Sequence, residues 1–120
     1  MGIERRRYKR VYLRFPVECR GKNIWQKVEA DNISEGGMFL ITEKIEPLGS
    51  PVEIIFSFGK RDKKLIYAEG VVVWNRGKQT QDSEGKNVPA GMGIEFTKFY
   101  SLESRSFIAK EVDKWEKEYE

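Results

Sequence analysis

The chain of 120 residues has no histidine and a single cysteine, Cys19. Those two absences exclude an intramolecular disulfide, a Cys/His zinc cage, a Ser-His-Asp triad and a Cys-His nucleophile pair. No apolar run approaches the length needed to span a membrane as a helix. The arginine-rich start is followed by alternating polar and apolar residues, not by the continuous apolar core of a secretory leader, so a cytoplasmic location is expected. The carboxylates are scattered with no spacing that pairs two of them for acid–base work, so no enzymatic activity is expected. An excess of either charge is also missing: 22 basic against 19 acidic residues leave only +3.

What is present fits one soluble domain, with 39% apolar and 34% charged residues. The small net charge hides an uneven distribution. Residues 1–20 carry Arg5, Arg6, Arg7, Lys9, Arg10, Arg14 and Arg20 against Glu4 and Glu18, a local +5, and the remainder sums to −2.

Residues 11–20 alternate strictly, Val11, Leu13, Phe15, Val17 and Cys19 opposing Tyr12, Arg14, Pro16, Glu18 and Arg20, which predicts a half-buried strand. Pro16 has no N–H and predicts an edge or a bulge there. A turn at Gly21-Lys22-Asn23 leads into a weaker strand pattern with Ile24, Gln26, Val28 and Ala30 on one face. Further short apolar runs cover Met38–Ile41, Val52–Phe58, Leu65–Trp74 and the stretch GMGIEF ending at Phe96. Between the last two, residues 75–89 are polar and long for a hairpin connection, and are expected to be mobile. The period then changes: Ile108, Val112, Trp115 and Tyr119 fall at i, i+4, i+7 and i+11, with Phe107 beside them, one stripe of an amphipathic helix. Ser101 is a candidate cap, Glu103 suits the positive end, and Lys114 and Lys117 the negative end. The expected fold is a small six-stranded antiparallel β-barrel with a C-terminal α-helix. It divides into an N-terminal arginine segment 1–10, a barrel 11–100 and a helix 101–120.

Two clusters carry chemistry. The first is Arg5-Arg6-Arg7-Tyr8-Lys9-Arg10, containing Arg6-x-x-x-Arg10. A guanidinium is planar and always charged, so it grips a phosphate bidentately, meets a purine edge or stacks on a base. Arg6 and Arg10 span roughly 13 Å of extended chain, enough to hold two ends of a nucleotide-sized anion. The plainer reading of the same residues is a solvated basic tail. The second cluster is Asn32-Ile33-Ser34-Glu35-Gly36-Gly37. Asn32 and Ser34, two apart on an extended chain, present an amide and a hydroxyl on one face, whereas alternation turns Asp31 away. Gly36 and Gly37 permit positive φ or close approach of a ligand to the backbone, and the plainer reading is again a turn.

Taken together and in this order, the clusters resemble the signature of the PilZ domain family of cyclic di-GMP receptors, R-x-x-x-R before the first strand and [D/N]-x-S-x-x-G some way after it. The resemblance rests on Arg6, Arg10, Asn32, Ser34 and Gly37, and extends to Pro16-Val17, GGMFL, EGVVVW and GMGIEF. It implies cyclic di-GMP as ligand, bound by Arg6, Arg10, Asn32, Ser34 and Gly37 with help from Arg5 and Gly36. The arginine segment would fold over the ligand and alter contact with a protein effector, in motility, pilus or exopolysaccharide control. Asn32 stands where the family more often has Asp. Arg5, an extra basic residue before the motif, implies two ligand molecules per domain, and a monomer or weak dimer is expected.

Other candidates read as structure: Cys19 as a buried thiol, Trp74 as core or rim, the helix stripe as a cover over one barrel end, and Lys60, Arg61, Lys63 and Lys64 as a solvated hairpin or a docking patch. Two alternatives remain, a nucleic-acid-binding β-barrel, disfavoured because aromatics are not gathered on one polar strand face, and a PilZ-like interaction module without nucleotide binding.

Overall fold

The computed structural model describes residues 8–118, with side chains through residue 115. Arg5 and Arg6 therefore lie outside the described residues, as do Tyr119 and the side chain of Lys117. Six strands close a barrel: β1 (Phe15–Gly21), β2 (Trp25–Ser34), β3 (Gly37–Ile41), β4 (Pro51–Phe58), β5 (Lys64–Arg76) and β8 (Gly91–Phe99), in the order β1-β2-β3-β8-β5-β4, all antiparallel. Helix α1 (Ser104–Glu118) follows. The long connection after β5 is not wholly irregular, because β6 (Thr80–Gln81) and β7 (Asn87–Val88) form a separate two-stranded ribbon within it.

The alternation in the sequence becomes the inside and outside of the barrel. Val17, Cys19, Ile54, Phe56, Ile66, Ala68 and Val72 point inward and are buried. Closure removes free sheet edges, yet Pro16 is accommodated because β4 pairs with β1 only from Glu18 onward. That leaves Pro16 beside β2 alone, opposite Glu29. The first strand begins later than alternation predicts, at Phe15. Val11 instead makes an isolated bridge to Ile33, each N–H donating to the other's carbonyl at 3.0 Å. This bridge lays the segment that carries Arg10 alongside the end of β2.

Ile108 and Val112 are buried in the same core cluster as the barrel interior, with Phe107 and Trp115 packed against it. Burying each aliphatic side chain contributes about 1.5–3 kcal/mol, which ties the helix firmly to the barrel. The helix starts after a preceding turn, so Ser101 does not cap it directly. The Ser101 hydroxyl accepts the Glu103 N–H at 3.4 Å, and the Glu103 carbonyl accepts the first helical bond from Phe107 at 2.9 Å.

Candidate functional site

Two adjoining clefts of about 360 and 550 Å³ meet at Arg10, Val73 and Ile94. The smaller is lined by Arg10, Asp31, Asn32, Phe39, Trp74 and Arg76. The larger is lined by Tyr8, Arg10, Ser34, Gly36, Gly37 and Arg105 among others. The structure thus brings Arg10, Asn32, Ser34, Gly36 and Gly37 into one neighbourhood, although Arg10 is more than twenty residues from Asn32 in sequence.

Local irregularities arrange these side chains. An extra residue, Asp31, interrupts the pairing of β2 with β3 between Ala30 and Asn32. Ala30 and Ile33 both stay buried in the core, while Asp31 and Asn32 line the same cleft. Simple alternation had turned Asp31 away; the bulge is the physical reason it does not. A second irregularity, between Val72 and Trp74 in β5, leaves Val73 and Trp74 both exposed, and both line the smaller cleft. Trp74 is accordingly at the rim. Its ring lies 5.5 Å from that of Phe39, and the Arg76 guanidinium stacks 4.6 Å from its centroid. Arg76 Nε also donates to the Pro89 carbonyl at 2.8 Å, anchoring it to the segment after β7.

Polar groups in the site are buried without full satisfaction. Asn32 and Ser34 are among the few buried polar residues, 6% and 4% exposed. The Ser34 hydroxyl accepts the Gly36 N–H at 3.1 Å. The Asn32 Oδ1 and the Arg10 Nε are buried and lack a hydrogen-bond partner among the described residues. A buried polar atom left unpaired costs on the order of 1–3 kcal/mol, so such groups concentrate where something else completes them.

The glycines serve space and not unusual dihedrals, since neither Gly36 nor Gly37 has a positive φ. A methyl group on Gly37 would collide with the Ile94 carbonyl oxygen of β8, and one on Gly36 would meet the Tyr8 ring at 2.6 Å. Gly37 lets β3 and β8 approach, and Gly36 lets Tyr8 lie over the turn.

Arg76 and Arg105 are the site residues without a linear motif. Arg105, on α1, donates to the Glu35 carbonyl at 3.4 Å and stacks 5.4 Å over Phe99. Arg76 shares a strand face with Trp74 two residues earlier, a pattern visible in the sequence; nothing local marks Arg105. Cys19 lies elsewhere, inside the barrel, where burial and then the Glu46 carboxylate push its thiol up to about 11, so it stays protonated and unreactive at neutral pH. Among the described residues no cluster of His, Cys, Asp and Glu could hold a metal ion, and no helix is long and apolar enough to cross a membrane.

The PilZ domain matches residues 4–113. The chain belongs to the PilZ domain family. Structures similar to this PilZ chain include the Bacillus subtilis inhibitor of motility MotI/DgrA, at 17% identity and a TM-score of 0.77 over 97% of this chain and 53% of that one. The PilZ domain of Escherichia coli YcgR with c-di-GMP aligns at 18% identity and a TM-score of 0.66, over 97% and 95% of the two chains. The K. pneumonia MrkH–c-di-GMP complex aligns at 23% identity and a TM-score of 0.71, over 98% and 54%. The present PilZ chain spans about half the length of MotI/DgrA and of MrkH. No curated protein matches it.

Proposed function

We propose that this PilZ domain is a receptor for cyclic di-GMP that acts, through a protein partner, on motility, pilus function or exopolysaccharide and biofilm control. The observation that carries the reading is the meeting of Arg10, Asn32 and Ser34 around two adjoining clefts, with a buried unpaired donor on Arg10 and a buried unpaired acceptor on Asn32. Each is a group that a nucleotide completes: Arg10 donates to phosphate or to the guanine acceptor edge, and Asn32 accepts from guanine N–H groups. Two of the similar structures hold c-di-GMP, and a third is an inhibitor of motility. Arg6 is assigned to the same ligand by its place in the motif, and Arg5 to a second, stacked ligand molecule. Ordering the arm over the ligand costs conformational entropy and changes the surface that the arm and α1 present together, which makes the segment a switch.

Isothermal calorimetry tests this. The wild-type chain binds cyclic di-GMP at micromolar protein, and Arg10→Ala or Arg6→Ala weakens binding about ten- to a hundredfold, the worth of one charge-assisted contact of ~1.5–3 kcal/mol. No heat from the wild type would overturn the receptor reading, and unchanged affinity in both variants would overturn the site assignment. The same titration reports stoichiometry, with two ligands per chain expected and one removing the role of Arg5. Steep loss of binding to polynucleotide with salt would favour a nucleic-acid binder instead.

A further inference from the structure

We propose that the outer surface where β5 meets the turn before α1 is a docking site for an acidic, amphipathic segment of a protein partner, anchored on Leu65, Tyr67, Tyr100 and Leu102. The inference rests on the receptor reading above only for calling that partner an effector. Leu65, Tyr67 and Tyr100 are each between 45% and 59% exposed, and Leu102 is wholly exposed. They are neighbours. The Tyr100 N–H donates to the Tyr67 carbonyl at 3.1 Å, and the two rings meet edge to face with centroids 6.3 Å apart. Leu65 shares the outward face of β5 with Tyr67. It also lines a groove of about 60 Å³ with Ser101 and Glu103, the residues on either side of Leu102.

The Tyr100 hydroxyl donates to the Glu69 carboxylate at 2.8 Å, which fixes the ring before any partner arrives. A ring held in place adds contact area at little entropic cost, and for that reason tyrosines anchor protein interfaces. Charge then selects the occupant. Lys60 and Lys64 are engaged with the helix, whereas Arg61, Lys63 and Lys98 are exposed and make no ion pair among the described residues. The carboxylates at the patch are already held, Glu69 by Tyr100 and Glu103 by Lys64 at 3.9 Å, which leaves Asp62 against three cations. An acidic segment supplies the missing charge. An anionic bilayer would also attract these cations, but Glu69 and Glu103 stand among the anchors, where lipid headgroups would repel them and peptide N–H groups would not. Tyr67 and Trp74 lie roughly 20 Å apart along β5, at ~3.3 Å per residue, so a segment docked here leaves the two clefts open.

The test selects random short peptides displayed on phage against the wild-type chain, then maps the resynthesised binders by NMR on 15N-labelled protein. Binders are expected to carry carboxylates beside Leu, Phe or Trp and to shift the amides of Leu65, Tyr67, Tyr100 and Leu102. Leu102→Ser, or Arg61→Glu combined with Lys63→Glu, should weaken them about tenfold or more. Circular dichroism should stay unchanged, because all three side chains are exposed. Binders without acidic residues, acidic binders that shift only the cleft amides, unchanged affinity in the variants, or no binder at all would overturn the inference. So would attachment of the wild type to phosphatidylglycerol vesicles that Leu102→Ser abolishes, the mark of a membrane surface. Failure of the wild type to bind cyclic di-GMP overturns the receptor reading alone, since the peptide titration contains no nucleotide.

Discussion

Arg10 and Asn32 hold the account together at the residue scale, because each buries a polar atom that the described chain does not satisfy. Evolution of a merely stable barrel would favour apolar or fully paired groups at those places. The two glycines next to them do different work, and substitution separates the roles. Gly37→Ala drives a methyl into the Ile94 carbonyl of a paired strand, which cannot withdraw without breaking the β3–β8 ladder, so urea denaturation should show a loss of about 1–3 kcal/mol. Gly36→Ala meets only the edge of the Tyr8 ring, which can swing aside, so its midpoint should move far less. Equal losses in the two variants would contradict this division. The site was partly legible in the sequence: R-x-x-x-R and N-x-S-x-x-G are linear patterns and named Arg10, Asn32, Ser34 and Gly37. Arg105 was not legible, since only the packing of α1 against the barrel brings it to Ser34, and Asp31 was misplaced because a bulge leaves no mark in a period-two pattern.

Secondary-structure elements show the same division between what periodicity encodes and what it does not. The six barrel strands follow from alternation or from short apolar runs between turn residues, and the helix from the shift to a 3.6-residue period, whereas the β6–β7 ribbon is too short and polar to announce itself. The basic connection between β4 and β5 looks like a solvated turn in sequence, yet it clasps the helix. The Lys60 N–H donates to the Glu111 carboxylate at 2.8 Å, Lys114 pairs with that carboxylate at 3.0 Å, and the Lys60 and Lys64 ammoniums sit over the rings of Trp115 and Phe107. Burial by itself would push the Glu111 carboxyl up, but the Lys60 N–H and the Lys114 ammonium outweigh it and hold the group below its ordinary value. A depressed carboxyl contributes stability that is complete above the unfolded-state value, near 4.5, and is lost as pH falls through the folded one. Glu111→Gln should therefore unfold more easily than wild type at pH 7, by about 1–2 kcal/mol, and the gap should narrow on acidification below pH 4.5. Thermal melts across that range that keep a constant gap would contradict the clasp.

For the molecule as a whole, the uneven charge noted at the start acquires a place. Arg10, the last residue of the basic cluster, stands on one flank of a nearly neutral barrel, where it joins Arg76 from β5 and Arg105 from α1 around the two clefts. The barrel fixes Asn32, Ser34 and the aromatic pair Phe39–Trp74, and the Val11–Ile33 bridge brings the adjoining Arg10 to them. This predicts a single site built from two parts of the chain that are far apart in sequence, not a basic tail and a separate turn. Titration of the 15N-labelled protein with cyclic di-GMP, followed by NMR, tests that claim most directly. The Arg10 Nε–H and the amides of Ser34, Gly36 and Gly37 should shift together and report one common Kd, whereas shifts confined to the arm or to the barrel, or none at all, would contradict it.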